Sequence, residues 1–411
     1  MRRVAVTGVG VVSPLGNGIR PFFESLVAGR SGIGRLSMRF EERLVCSIGA
    51  SVSGFDAASL FAAPQLRMLD RVSQFALAAA AEALGEAGEV FDGLDLERAG
   101  VFVGTGMGGA RTTDESYFTL YGEQSDRLKP FSVLLAMNNA AASWIGMEHG
   151  LRGANLTYST ACSSSAVAIG EAARRIASGE ADVMIAGGSE APLNFGTLKA
   201  WDAMRTLATE DPEDASASCK PFARDRSGLV LGEGAAMLVL ESWDRAAHRG
   251  ARIRAELAGY GLCADPSHIT RPSVAGQAAA MRRALADARM GAAEIGYINA
   301  HGTGTQANDS VETAAIKEVF GARAHAIPVS STKSMHGHLL GAAGAIEFAA
   351  SLLAMEAGIA PPTISLRHPD PECDLDYVAI VARGGVEIGA VMSNSFAFGG
   401  TNAVLVARRA P

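Results

Sequence analysis

The strongest constraint on this chain is a local pattern that occurs twice, once in each half. Asn155-Leu-Thr-Tyr158 is a short apolar run, Ser159-Thr-Ala-Cys162-Ser-Ser-Ser165 are all small, and apolar side chains then recur at Ala166, Ile169, Ala173 and Ile176. That spacing predicts a strand, a tight turn and a helix with one buried face, with Cys162 on the turn. Pro328–Glu347 repeats the order: an apolar strand, Ser-Thr, a turn carrying Lys333 and His338, then an Ala/Gly-rich helix. A second echo pairs Phe102-Val-Gly-Thr-Gly106 with Tyr297-Ile-Asn-Ala-His301-Gly-Thr-Gly-Thr305. Repetition of this kind predicts an α/β chain of two similar halves, taken as 1–250 and 251–411. Cys162 and His338 then occupy equivalent turns that face one another.

Other segments fill in this frame. The spacing predicts a short helix over 21–28, a strand over 44–52, and a long helix over 70–87 that stops at Gly88. Strands are expected at 101–104, 181–189 and 234–241, and the second of these closes a parallel strand–helix–strand unit around Cys162. Residues 110–150 show no clear period and read as an insertion capping the site. The chain closes with two apolar strands flanking Asn394-Ser-Phe396-Ala-Phe398-Gly-Gly400. The opening Val4–Gly16 stretch is a strand and a Gly/Pro turn. It is not a dinucleotide fingerprint, because Ser13-Pro14 stands where a third glycine belongs and no acidic strand end follows about twenty residues on.

Bulk properties exclude several function classes. A chain of 411 residues that is 48% hydrophobic can bury a large core, and 47 glycines against 6% aromatics imply close packing of helices on sheets. Net charge is −7 with no run of one sign, which argues against nucleic acid as a partner. The five cysteines are scattered without a C-x-x-C pair or a histidine at metal spacing, as expected of free thiols in a reducing, cytoplasmic compartment. The N-terminal apolar run is too short for a signal peptide, and no window of about 18 uncharged apolar residues suggests a membrane span.

Cys162 at a helix start faces unpaired N–H groups and the positive end of the dipole, which favours thiolate. A free thiol of pKa about 8.5 is only a few per cent ionised at neutral pH, and a fall to about 7 would ionise half of it. A small cysteine is also an ordinary core residue, and His301 or His338 alone could be a loop or core histidine. One Cys, two His and Lys333 in matching halves point instead to a catalytic constellation.

Four motifs, T-A-C-S-S-S at 160–165, N-A-H-G-T-G-T at 299–305, K-S-M-H-G-H-L-L-G-A-A-G-A-I-E at 333–347 and F-x-F-G-G-T-N at 396–402, occur in this order, with V-T-G-V-G-V-V-S-P-L-G near the start. On these the chain resembles, nearly end to end, the β-ketoacyl-acyl carrier protein synthases, most closely the synthase II type. The resemblance implies a duplicated thiolase-like α/β fold, layered α-β-α-β-α, with two mixed sheets around buried helices. It implies decarboxylative Claisen condensation of a Cys-bound acyl group with malonyl-acyl carrier protein to a 3-oxoacyl product, in fatty-acid elongation or a related type II pathway. By motif, Cys162 is the nucleophile, and His301 and His338 hold the malonyl thioester carbonyl as carbon dioxide leaves. Lys333 orients and tunes the site, with Glu347 and Asp309 in support. The backbone N–H groups of Cys162 and Phe398 form an oxyanion hole, and Phe398 is also a gate. Thr303 and Thr305 meet the phosphopantetheine arm of the carrier-bound substrate, and Met107, at the depth of the acyl pocket, and Phe396 join them in binding substrate. No cofactor of its own and no catalytic metal are implied. Some members hold a structural monovalent cation near positions matching Asn299, Glu347, Ser393 and Asn394.

Departures bear on the pathway. After H-G-T-G-T, housekeeping members usually continue T-P-x-G-D, whereas this chain reads Gln306-Ala307-Asn308-Asp309; Ala397 replaces a usual Gly and His336 a usual Thr. Asn308-Asp309 resembles synthases of nodulation-factor, aryl-polyene and other specialised type II pathways. A ketosynthase dedicated to such a pathway, with or without a non-catalytic partner, is therefore the alternative to general elongation. Biosynthetic thiolases need a second Cys in a C-terminal Gly-rich turn, and Cys373 lies in Pro-Glu-Cys-Asp-Leu-Asp instead. Chalcone-type synthases use Asn where this chain has a second His, and chain-length factors lack the Cys. A Cys-dependent acyltransferase or hydrolase would leave one His and Lys333 without a task. The acidic acyl carrier protein implied as partner would dock on exposed basic residues, for which Arg67, Arg127, Lys129 and Arg205 are candidates. The family pairs as homodimers through the first half's sheet or as heterodimers with a related subunit.

Overall fold

The computed structural model describes residues 1–410. In the first half, β1 (Val4–Ser13), β2 (Ala99–Gly104), β3 (Asn155–Tyr158), β4 (Val183–Glu190) and β5 (Gly234–Ser242) lie side by side in the order β3-β2-β4-β5-β1. In the second, β6 (Ala255–Ala264), β7 (Tyr297–Asn299), β8 (Val329–Ser330), β9 (Ala390–Phe396) and β10 (Thr401–Arg409) follow the order β8-β7-β9-β10-β6. Replacing each strand of the first half by its counterpart gives the second. The directions match as well: the first three strands of each set are parallel, and the last two pairings are antiparallel. The halves meet at a short antiparallel pairing of Ala5 and Val6 with Glu256 and Ala255.

Both faces of each half-sheet are covered, and the strands show it residue by residue. In β5, Ala236, Leu238 and Leu240 face the central core, while Ala235, Met237 and Val239 face the outer one. In β10, Ala403, Leu405 and Ala407 point to the same central core, and Val404 and Val406 to the opposite outer layer. This is the period-two geometry of a strand buried on both sides. The outer layers hold α1 (Arg71–Ala87) on the first half and α3 (Val274–Ala288) and α4 (Gln306–Phe320) on the second. The central layer holds α2 (Ser164–Ser178) and α5 (Ala343–Ala357). The result is the α-β-α-β-α layering expected from the motifs. α5 is buried continuously from Ala343 to Met355, so it shows no polar stripe. Leu340–Ala357 has a mean hydropathy of 1.4 and is long enough to cross a membrane, but 89% of it is buried inside the protein as the core of the fold.

The helix expected at 70–87 has those limits because of its caps. The Asp70 side chain accepts from the Val72 N–H at 3.0 Å, and Gly88 leaves the helix at φ +73°. α1 rests directly on β1: a Cβ added at Gly10 would lie 2.0 Å from the Ala79 carbonyl oxygen, so only glycine fits there. The strand–helix–strand unit around Cys162 is present, but β3 and β4 are not neighbours, since β2 lies between them.

Two expectations need correction. The strand at 44–52 is reduced to Ile48–Ala50, because its partner strand, Ile33–Arg35, offers only three residues to pair with. Residues 110–150 contain the helices Ala110–Tyr117, Ser132–Ala136 and Ala140–Glu148, too short to register as a period. They do not cap the cavity at Cys162, none of whose walls they supply. The third packs on α1 through Ala141, Ala142 and Ile145, while Tyr117, Tyr121, Phe131 and Val133 stay exposed.

Candidate active site

Cys162 sits in one turn of tight helix, Ala161–Ser163, that leads into α2. The turn is strained: Ala161 has φ +52°, a left-handed conformation that an alanine adopts only when its surroundings enforce it. Thr160 and Ser164 supply part of that enforcement, the Thr160 N–H donating to Ser164 Oγ at 2.9 Å and that hydroxyl donating to the Ala161 carbonyl at 2.6 Å. The thiol is thereby aimed into an open cavity of about 230 Å³.

The equivalent turn of the second half delivers His338. Its main chain is fixed to residues 230–232, its N–H donating to the Val230 carbonyl at 2.6 Å and its carbonyl accepting from Gly232 at 2.9 Å. Nδ1 accepts the Leu340 N–H at 3.1 Å, so the proton of the neutral ring lies on Nε2. That Nε2 lies 3.1 Å from the Cys162 sulfur. His301 arrives from the end of β7, its ring centroid 5.5 Å from that of His338 and nearly perpendicular to it. The sulfur and one ring nitrogen of each histidine all lie within 4.8 Å of one another. Residues separated by up to 176 positions (338 − 162) therefore converge on one buried point.

Burial dominates the electrostatics. Both imidazoles are held well below their ordinary pKa, first by desolvation and then by the Lys333 cation, so they are neutral N–H donors at any physiological pH. Burial also pushes the Cys162 thiol up to about 11, against the opposing pull of Lys333 and of the Phe398 and Cys162 backbone N–H groups. The expectation of a resting thiolate is therefore overturned. The helix start acts in the direction expected, but removing the sulfur from water costs more. Alkylation of Cys162 by iodoacetamide should accordingly keep accelerating by about tenfold per pH unit between about pH 7 and 10. Intact-mass kinetics would record this, and a plateau near neutrality would contradict it.

Lys333 is fully buried, 2.5 Å from Glu347 Oε1, and its ammonium donates to the His301 carbonyl at 2.5 Å. Burial lifts the Glu347 carboxyl to about 7 in spite of that cation. Glu347 Oε1 has only the Lys333 ammonium and Oε2 has no partner, and the buried Asn299 Oδ1, Ser393 Oγ and Asn394 Oδ1 have no hydrogen bond. The two amide nitrogens are engaged, Asn299 Nδ2 with the Glu347 carbonyl at 3.3 Å and Asn394 Nδ2 with Glu312 at 3.1 Å, which leaves the oxygens free. Unpartnered buried oxygens of this kind form a donor set suited to a hard cation. The residues present fit the monovalent ion that the motifs implied.

The other expected residues fall into three groups. Thr303, Thr305, Phe396 and Phe398 line the cavity; the two threonine hydroxyls are 2.9 Å apart, and Phe398 stacks on Trp201 at 6.0 Å. Asp309 lies behind the wall, its pKa raised to about 6 by burial, accepting the Phe222 N–H at 2.8 Å. Met107 is 42% exposed and does not line the cavity, and its N–H donates to Glu190 at 2.9 Å. Arg205 is exposed and ends a helix next to Thr206, a cavity-wall residue. Arg67, Arg127 and Lys129 are exposed too, but they border separate recesses formed with residues 66–74 and 111–135, and Lys129 pairs with Glu115 at 3.0 Å.

Three features escaped the sequence reading. Glu312, on the buried face of α4, accepts the N–H groups of His301 and Gly302, each at 2.8 Å, and so fixes the loop that carries the first histidine. Glu190 does similar work elsewhere. The segment Asp265–Pro272 forms much of the cavity mouth, with His268, Thr270 and Arg271 on its wall.

A layered, duplicated α/β fold with a cysteine and a neutral histidine at matching turns and a second neutral histidine beside them defines a condensing enzyme of the thiolase-like class. Residues 1–246 match the family model "Beta-ketoacyl synthase, N-terminal domain" and residues 254–367 match "Beta-ketoacyl synthase, C-terminal domain"; the chain belongs to the β-ketoacyl synthase family. It is 46% identical to Nodulation protein E of Rhizobium meliloti (strain 1021), over 98% of each chain. To 3-oxoacyl-[acyl-carrier-protein] synthase 2 of Coxiella burnetii it is 42% identical over 99% of each. Among solved structures, the ishigamide ketosynthase/chain length factor aligns with a TM-score of 0.93 at 36% identity over 100% of both chains. A type II polyketide acyl-carrier protein in complex with its ketosynthase (AntDE:AntF) aligns with 0.92 at 33% over 100% of both. The chain is thus a Cys-His-His ketosynthase.

Proposed function

We propose that this ketosynthase joins a Cys162-bound acyl group to a malonyl unit carried on an acyl carrier protein, within a specialised type II pathway rather than general fatty-acid elongation. The observation that carries the chemistry is the pair of neutral imidazoles beside the sulfur, with the His338 Nε2 proton fixed by the Leu340 N–H. In the first step the Cys162 sulfur attacks the acyl thioester, the oxyanion takes the Cys162 and Phe398 N–H groups, and the carrier leaves as its thiol with the proton that Cys162 gave up. In the second, the malonyl thioester loses carbon dioxide. His301 and His338 donate to the oxygen of the enolate that remains, its carbon attacks the Cys162 thioester, and the sulfur leaves and is reprotonated. The tethered arm would run past Thr303 and Thr305, and a cation held by Asn299, Glu347, Ser393 and Asn394 would serve structure only.

The pathway assignment rests on two supports. Identity to Nodulation protein E, at 46%, exceeds that to the synthase 2 relative, at 42%. Gln306-Ala307-Asn308-Asp309 also departs from the housekeeping pattern at α4, where Asn308 lines the cavity. Pairing with a second copy or a related subunit is supported by the exposed outer edge of β3 and by exposed Tyr117, Tyr121 and Val133. Docking of the acidic carrier is assigned to Arg205 at the mouth, with Arg67, Arg127 and Lys129 as outlying contacts. The reading is tested by supplying acyl-carrier primers of graded length and unsaturation with malonyl-carrier and weighing the products. A narrow preference for one unusual primer or a multiply extended product is expected. Efficient turnover of the whole saturated series would return the chain to general elongation.

A further inference from the structure

Glu190 ends β4, is fully buried, and has no task in the steps above. Its carboxylate accepts four hydrogen bonds. Oε2 takes the N–H groups of Gly106 at 2.6 Å and Gly341 at 2.8 Å. Oε1 takes the Met107 N–H at 2.9 Å and the Thr105 hydroxyl at 3.1 Å. Thr105–Met107 follow β2 in the first half of the chain, whereas Gly341 follows His338 in the second. The two loops touch backbone to backbone, since a Cβ on Gly341 would lie 2.3 Å from the Gly106 nitrogen. One carboxylate oxygen thus serves two amides that reach the same point from opposite halves of the fold.

Leu340 stands between His338 and Gly341 with φ +44°, a left-handed conformation in which a leucine must be held. Its own N–H is the donor that fixes His338 Nδ1. We propose that Glu190 is a positioning residue for His338: by anchoring the Gly341 amide it keeps Leu340 in the left-handed turn, and the Leu340 N–H in turn keeps the Nε2–H of His338 directed at the reaction centre. The assignment rests on the ketosynthase reading given above. It differs from a role in packing alone, which would lower stability without favouring either half of the reaction. Cys162 and its N–H groups belong to another turn, so acyl transfer should survive a change that disturbs His338.

The test separates the two half-reactions in purified full-length enzyme. Transfer of an acyl group from an acyl-loaded type II carrier protein to Cys162 is followed by intact mass, and carbon dioxide release is followed from the malonyl-loaded carrier. Glu190→Ala should lower the kcat for carbon dioxide release by about 10²-fold, the typical cost of a misplaced catalytic group, while changing the acylation rate by less than about threefold. Glu190→Gln keeps the shape and one acceptor oxygen for the Gly106 and Gly341 amides, so it should recover part of the loss, and it supplies the same readout if the alanine variant does not fold. Equal losses in both half-reactions, or undiminished carbon dioxide release in a folded variant, would overturn the assignment of Glu190. If the wild-type enzyme itself released no carbon dioxide, the ketosynthase reading beneath it would be the part that fails.

Discussion

Cys162→Ala should leave condensation at or below detection, a fall of roughly 10⁴–10⁶-fold as expected when the nucleophile of a coupled site is removed. His338→Ala and His301→Ala should behave differently. Each removes one neutral N–H donor from the position where enolate charge develops, a loss that typically costs about 10²–10³ in rate. Neither removes the sulfur or the Cys162 and Phe398 N–H groups that act on it. Acyl-Cys162 should therefore still form in both histidine variants, and intact mass would show it, while carbon dioxide release from malonyl-carrier collapses. The two losses should not be equal. His338 also lies 3.1 Å from the sulfur, so its removal should slow acylation slightly, by far less than it slows carbon dioxide release, whereas His301 makes no hydrogen bond to Cys162. A histidine variant that released carbon dioxide at the wild-type rate would remove that residue from the decarboxylation step.

The parts of this site that were legible from sequence are those that local rules determine. The strand, the small-residue turn and the periodic helix around Cys162 follow from spacing alone, and so does the limit of α1 between Asp70 and Gly88. The repeat that placed His338 opposite Cys162 is a pattern of residue types, and the identical strand orders of the two halves are its physical counterpart. Glu312 and Glu190 were hidden for the opposite reason. Each acts by accepting backbone N–H groups of loops far away in the chain, and nothing in a sequence marks which amides a buried carboxylate will meet. Glu312 left a faint signal, since Asn308, Asp309, Glu312, Thr313 and Ile316 recur at helical spacing as one buried and unusually polar face. The thiolate expectation failed because the dipole argument is local, whereas desolvation depends on everything packed around the sulfur. Arg67, Arg127 and Lys129 were read correctly as exposed, but their distance from the mouth is a property of the folded surface.

Lys333→Met should destabilise the protein by about 3–5 kcal/mol, the cost of leaving one partner of a buried ion pair without the other. The reason lies with Glu347, which is fully buried and has Lys333 as its one polar partner. The sign of the pH dependence follows. In the wild type the folded carboxyl is already raised to about 7 from an ordinary value of 4.5, and without the cation it rises further. Over that window the folded variant holds a proton that the unfolded chain has lost, so its stability falls as pH rises through it. The wild type loses the same stability up to about 7, so the deficit should grow only above that pH and be greatest at alkaline pH. The double variant Lys333→Met with Glu347→Gln removes the stranded charge and should recover most of the stability. It should not recover condensation, because the His301 carbonyl still lacks the ammonium donor that holds it at 2.5 Å. Denaturant unfolding of the single and double variants across pH, paired with carbon dioxide release, separates the two contributions. A single variant within about 1 kcal/mol of the wild type above neutral pH would show that Glu347 is neutralised by something other than Lys333.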